Sequence, residues 1–146
     1  MKTFKGRVVA PGEITAEALV SHGGLNTLAS FQKALQFGDK NATCGDQNNK
    51  DLYGKQMAGK ALCLPQTIGS TTGGMVLHTI LDMGIGPKAL LFSKQIDPLA
   101  AAGVILSKVW SDKAIITIDS LGDEFLEYVK DDMDIQIDED GIVTIL

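Results

Sequence analysis

The stretch Ala61-Leu62-Cys63-Leu64-Pro65-Gln66-Thr67-Ile68-Gly69-Ser70-Thr71-Thr72-Gly73-Gly74, followed by Met75-Val76-Leu77-His78-Thr79-Ile80-Leu81-Asp82-Met83, sets the architecture. A short apolar run closed by proline reads as a buried strand. Val76, Leu77, Ile80, Leu81 and Met83 recur at helical spacing, which predicts a helix over 72–83. A turn rich in glycine and hydroxyls joins the two. Such a junction brings backbone N–H groups and the positive end of a helix dipole to one point, beside three adjacent hydroxyls.

The alternation continues downstream. Gly84 and Gly86 stop the helix, with Pro87 beyond. Ala89-Leu90-Leu91-Phe92 is a second buried strand. Asp97 is placed to cap a helix that starts at Pro98 and runs to 109, packing through Ala101, Ala102 and Gly103. Residues 114–118 form a third strand, and Ser120 is the expected cap of a helix over 121–130. Residues 135–138 and 142–146 form a closing hairpin across Glu139-Asp140-Gly141. Upstream, 4–10 and 14–21 are strands joined at Pro11-Gly12, and 27–36 is a short helix. The stretch 37–59 is a long polar loop, functional or mobile. Strands alternating with helices imply a parallel unit with crossover helices. The expected fold is α/β: a layered β/β/α domain with a central parallel strand–helix unit, its terminal strands forming a second sheet, and all of 1–146 in one domain.

Composition narrows the function. The chain has 146 residues, of which 45% are hydrophobic and only 5% aromatic, so the core rests on aliphatic side chains. A net charge of −5 argues against nucleic acid or an anionic membrane as partner. No window approaches the ~18 apolar residues of a membrane span. The N-terminus lacks the apolar core of a secretion signal, which predicts a cytoplasmic protein. Two cysteines make no disulfide framework.

Spacing excludes several familiar sites at the turn. No lysine precedes Ser70, Thr71 or Thr72, so it is not a Walker A loop. Ile68 stands where a nucleophile elbow needs glycine. No G-x-G-x-x-G run is present. A structural helix cap and a catalytic or ligand-binding turn both remain open on the residues alone. Cys63 alternates into a buried strand. Cys44 lies in the polar loop Asn41–Asn49, where Asp46, Asn48 and Asn49 are further cleft candidates. His78 and Asp82 read as a surface pair at i, i+4, His22 as a residue of a glycine-rich turn with a partner-facing role as its lesser reading, and Trp110 as a packing anchor.

Three runs together resemble the aconitase X swivel-domain family: Gly54 to Pro65, Gly69-Ser70-Thr71-Thr72-Gly73-Gly74, and Gly84-Ile85-Gly86-Pro87-Lys88-Ala89. Asp97-Pro98 to Gly103 and the strand-rich N-terminus extend the likeness over essentially the whole chain. The resemblance implies a swivelling domain that is the small subunit of a hydro-lyase. Its partner is a large aconitase-like subunit, which holds most ligands of an iron–sulfur cluster whose iron polarises the leaving hydroxyl. The swivel domain closes over the site and contributes a serine as proton acceptor, a position matched here by Ser70. Gly69, Thr71, Thr72, Gly73 and Gly74 then form the substrate-binding turn, and Cys44 is a further candidate metal ligand.

The family's activities are dehydrations of small hydroxy acids, cis-3-hydroxy-L-proline or mevalonate 5-phosphate. Many members carry arginine just before the serine, where this chain has Gln66-Thr67-Ile68-Gly69. The missing charge favours hydroxyproline, with mevalonate 5-phosphate as the alternative. A non-catalytic closing domain and an independent small-anion-binding domain are the rival readings.

Overall fold

The computed structural model describes residues 1–69, 73–111 and 115–146, with side chains at 73, 74, 99 and 106–111 left out of the description. The strands are β1 (Lys2–Lys5), β2 (Arg7–Ala10), β3 (Ile14–Val20), β4 (Leu25–Asn26), β5 (Ala61–Leu64), β6 (Thr67–Ile68), β7 (Ala89–Phe92), β8 (Ile116–Asp119), β9 (Asp134–Ile137) and β10 (Ile142–Ile145). The helices are α1 (Thr27–Phe37), α2 (Gly73–Asp82), α3 (Pro98–Ser111) and α4 (Asp123–Tyr128).

Eight strands form one sheet in the order β1-β10-β9-β3-β5-β7-β8-β2. The central run β3-β5-β7-β8 is parallel, as the strand–helix alternation requires. The terminal strands do not stand apart as a second sheet, because β3 belongs to both halves. Its residues Ile14–Glu17 pair antiparallel with β9, and Ala18–Val20 pair parallel with β5.

Period-two alternation then builds two cores. Leu62, Leu64, Leu90 and Phe92 face α1, α2 and α3, meeting Phe31, Leu77, Ile80 and Val104. Ala61, Cys63, Ala89 and Leu91 face the other way and share a core with Ile135, Ile137, Val143, Ile145 and Phe125. The antiparallel half thus packs over the parallel half, and the β/β/α layering stands. Each fully buried leucine contributes about 2 kcal/mol.

The region read as one strand over 4–10 is two strands, broken at Gly6. β1 and β2 lie at opposite edges of the sheet order, yet one residue separates them in sequence. The sheet therefore curls until its edges meet at Gly6. Nor do β2 and β3 pair across Pro11-Gly12, since β2 pairs with β8.

Other boundaries moved for local reasons. Ser120 does not cap α4: it has φ 57° and donates its backbone N–H to the Lys94 carbonyl, while Gly122 stands at the cap position. Met83 lies past the end of α2 and is 43% exposed. α3 buries Ala100, Gly103 and Val104, whereas Ala102 is exposed, a small rotation from the expected face. The loop 37–59 is built into the core rather than detached from it. Ala42, Cys44, Leu52 and Met57 are buried, and the Asp39, Asp46 and Asn49 side chains accept its backbone N–H groups.

Asp119 closes the seam. Its buried carboxylate receives Arg7 Nε at 3.0 Å and Nη2 at 2.6 Å, and the Ile96 N–H at 2.7 Å. Burial pushes this carboxyl upward, but the Arg7 and Ile96 hydrogen bonds and the Arg7 charge outweigh it and hold the group below the ordinary range. A carboxyl depressed in the folded state stabilises the fold above its unfolded pKa, and that contribution is lost as pH falls through the lower folded value. Arg7→Met is expected to lower Tm at neutral pH by about 5 °C or more, because it strands a buried charge. The difference from wild type should shrink in acid, once Asp119 is protonated. A Tm deficit that stays constant between pH 7 and pH 3 would count against this account.

Candidate active site

The turn leading to Ser70 is held from two sides. β6 pairs in parallel with β4, and the Leu25 N–H donates to the Gln66 carbonyl at 2.9 Å. Asn26, the next residue of β4, caps α1 by accepting the Ala29 N–H at 3.1 Å. The same side chain lies against Gly69, which has φ +115°; a Cβ there would sit 3.3 Å from the Asn26 amide. Glycine is needed for this backbone as well as for the close approach.

From the other side, Asp97 caps α3 through the Ala100 N–H at 3.1 Å, as expected from sequence. Its carboxylate also accepts the Thr67 N–H at 2.8 Å and the Thr67 hydroxyl at 2.5 Å. The N-termini of α1 and α3 are thus tied to 66–69, and α2 begins at Gly73. Ser70, Thr71 and Thr72 lie outside the described residues. Gly73 and Gly74 form the first residues of α2.

A cleft of about 370 Å³ opens beside the turn, lined by Gly23, Gly24, Asp46, Asn48, Asn49, Lys50, Asp51 and Ile68. The sequence candidates Asp46, Asn48 and Asn49 therefore do meet the turn region. Asn49 is committed to structure, donating to Ser21 Oγ at 3.0 Å and accepting the Asp51 and Leu52 N–H groups. His22 is exposed and faces Asp51, with Nδ1 at 3.2 Å and its backbone N–H at 2.7 Å from the carboxylate. His78 is half-buried on α2 and Asp82 exposed. Trp110 lies near the end of α3, its side chain outside the description.

Neither cysteine presents a thiol at the surface. Cys44 is 1% exposed inside the helix-side core, so its place differs from the loop position expected of a ligand. Its backbone explains this: the N–H donates to the Lys55 carbonyl and its own carbonyl accepts from Gly54, which draws the residue inward. Cys63 is fully buried, and burial pushes its thiol far up, away from the thiolate a metal needs. Among the described residues no three His, Cys, Asp or Glu side chains gather as a metal set. The described residues therefore do not fit the role of iron–sulfur ligands. Among them also, no helix is long and apolar enough to cross a membrane.

The contacts of Asp97 and Asn26 with the turn were not legible in the sequence. Both residues signal a helix cap, and nothing in the chain order tells that each cap reaches the same turn from a distant helix.

Comparison with known proteins agrees with this geometry. The family model described as the aconitase X swivel domain matches residues 3–145. A phosphomevalonate dehydratase small subunit from Methanocella arvoryzae is 28% identical over 135 residues, covering 92% of this chain and 92% of the relative. The protein of that name from Aeropyrum pernix is 31% identical over 93 residues, 64% of this chain and 65% of its own length. The crystal structure of Thermococcus kodakaraensis aconitase X in its holo-form superposes with a TM-score of 0.81 at 26% identity, covering 100% of this chain and 99% of that one. Since the family match spans nearly every residue, this chain belongs to the aconitase X swivel-domain family.

Proposed function

We propose that this chain is the small subunit of an aconitase X-type dehydratase, a hydro-lyase completed by a large subunit, and that its substrate is mevalonate 5-phosphate. The observation that carries the reading is the near end-to-end similarity to a phosphomevalonate dehydratase small subunit, 92% of each chain. It reverses the preference drawn from the missing arginine. A helix N-terminus favours phosphate without help from a guanidinium; in the cleft beside Ile68, Lys50 stands among the carboxylates of Asp46 and Asp51 and adds no net positive charge.

In this reading residues 1–146 act as one closing domain. Dehydration beside a carboxylate needs a weakly acidic C–H proton removed. Serine is a poor base unless its alkoxide is stabilised. Backbone N–H groups in the first turn of α2 have no partner within the helix and supply that stabilisation to Ser70. Thr71 and Thr72 orient the substrate, and Gly69, Gly73 and Gly74 let the backbone approach it. This reading assigns most ligands of the iron–sulfur cluster to the large subunit, as the family resemblance implies.

The test is co-expression with the large subunit and an anaerobic dehydration assay of both compounds. A preference of about 100-fold or more in kcat/KM for mevalonate 5-phosphate is expected over cis-3-hydroxy-L-proline. The opposite preference would overturn the substrate. Failure to form a complex would return the chain to the independent anion-binding reading.

A further inference from the structure

We propose that Asp97 is a positioning residue for the turn that carries Ser70: by tying Thr67 to the start of α3 it fixes where the chain enters the reacting hydroxyl. The inference rests on the proposed dehydratase function.

An N-cap needs one acceptor for the backbone of its own helix. Asp97 meets that need through the Ala100 N–H, yet its carboxylate takes two further hydrogen bonds from Thr67. These add nothing to the cap. They join α3 to a residue three positions before Ser70. Thr67 is 7% exposed, so its hydroxyl exchanges little with water and the charge-assisted bond is held in a sheltered place.

The anchor is itself anchored. Ile96, the neighbour of Asp97, donates its N–H to the buried Asp119, which Arg7 clamps. A line of contacts therefore runs from the seam of the sheet through Asp119, Ile96 and Asp97 to Thr67. On the opposite side Asn26 confines Gly69. The two residues that bracket the entry to Ser70 are thus fixed by two different helix caps. A base that must reach one C–H proton gains from such fixing, because a misplacement near 1 Å can cost ~100-fold.

Three variants separate positioning from packing. Asp97→Asn keeps the size and the capping ability of the side chain. It replaces one acceptor oxygen by an NH2 group, so it cannot accept the Thr67 N–H as well as the Thr67 hydroxyl and the Ala100 N–H, which share the other oxygen. Thr67→Val removes only the hydroxyl, and Thr67→Ser restores it. In the assembled enzyme, Asp97→Asn and Thr67→Val are expected to lower kcat about tenfold with KM within about threefold, and Thr67→Ser to stay within about twofold of wild type. In the small subunit alone, both disabling variants should speed amide exchange in a peptide covering 66–72.

Wild-type kcat in Asp97→Asn and Thr67→Val would overturn the proposal. So would a loss that Thr67→Ser fails to rescue, which would mean packing. If the wild-type complex turns over neither substrate, the dehydratase reading fails instead, and exchange alone decides: loosening confined to the first turn of α3 would leave Asp97 a cap and nothing more.

Discussion

Ser70→Ala in the assembled enzyme is expected to lower kcat about 10³-fold while the complex still forms and KM changes little. The size follows from the role. A positioned proton acceptor contributes about 10²–10⁴ to a rate, and an alanine methyl cannot take a proton. The pattern follows from the role: the serine alkoxide takes the proton as the C–H bond breaks and becomes a neutral hydroxyl, so its loss is felt in the transition state more than in binding. The fold should survive. Ser70 precedes α2 by a few residues, and a lost cap at a helix start costs about 1 kcal/mol. Subunit stoichiometry and Tm measured beside kcat would show this. Thr71→Val and Thr72→Val, if these residues only orient the substrate, should raise KM more than they lower kcat. Turnover of the Ser70→Ala enzyme within about threefold of wild type would instead give every chemical role to the large subunit and leave this chain a closing scaffold.

What could be read from the chain depended on how local the cause was. β7 was legible because four apolar residues, Ala89 to Phe92, stand between Pro87 and Ser93. α3 was legible because Asp97 and Pro98 are a cap and a first helical residue in series. α1 ended one residue beyond the expected place, at Gly38 with φ +64°, a left-handed cap. Elements two residues long, such as β4 and β6, show no periodicity to read. The curl of the sheet was hidden for a different reason. Whether β9 joins β3 or stays with a separate sheet depends on pairing across more than a hundred residues, and no local feature of Ile14–Val20 names that partner. The site divided along the same line. The strand, glycine turn and helix could be seen, and the order of motifs pointed to the aconitase X swivel domain. The absent arginine turned the choice of substrate toward hydroxyproline, whereas the similarity to phosphomevalonate dehydratase small subunits backs the alternative better; a single missing charge in one turn carries little weight, because a helix terminus also favours phosphate.

The burial of Cys44 teaches the same lesson about composition. The loop from Phe37 to Gly59 is poor in apolar residues, which reads as solvent-facing. Ala42, Cys44, Leu52 and Met57 are nonetheless inside, while Phe37 and Tyr53 stay exposed, because aspartate and asparagine side chains satisfy the loop backbone and let it lie against the helices. Backbone satisfaction, and not the count of apolar residues, decided where the thiol went.

Gly6→Ala is expected to be the most damaging small substitution in the fold, lowering stability by about 3 kcal/mol or more and Tm by about 10 °C. Gly6 joins β1 and β2, the two edge strands of the sheet, so the edges can meet only if this residue fits between them. A Cβ at Gly6 would lie 2.4 Å from the Asp119 carbonyl oxygen, 2.6 Å from Ile118 Cγ2 and 3.0 Å from Leu121 Cδ2. The first of these is backbone in β8, held by its pairing with β2 and β7, and it cannot turn aside as a side chain would. Retreat in the other direction is blocked as well. The Gly6 N–H donates to the Gly141 carbonyl at 3.2 Å, and a Cβ at Gly141 would itself stand 2.9 Å from the Gly6 carbonyl. Two glycines therefore face each other where the β9–β10 turn meets the seam. Gly23→Ala provides the control, since nothing lies within 4 Å of its added methyl and its effect should stay within about 0.5 kcal/mol. Thermal denaturation of the two variants decides the matter. A Gly6→Ala protein melting within about 2 °C of wild type would mean that the edges of the sheet are not closed on this residue. A large loss should also reach the site, because Arg7 follows Gly6 and clamps Asp119, from which Ile96 and Asp97 hang.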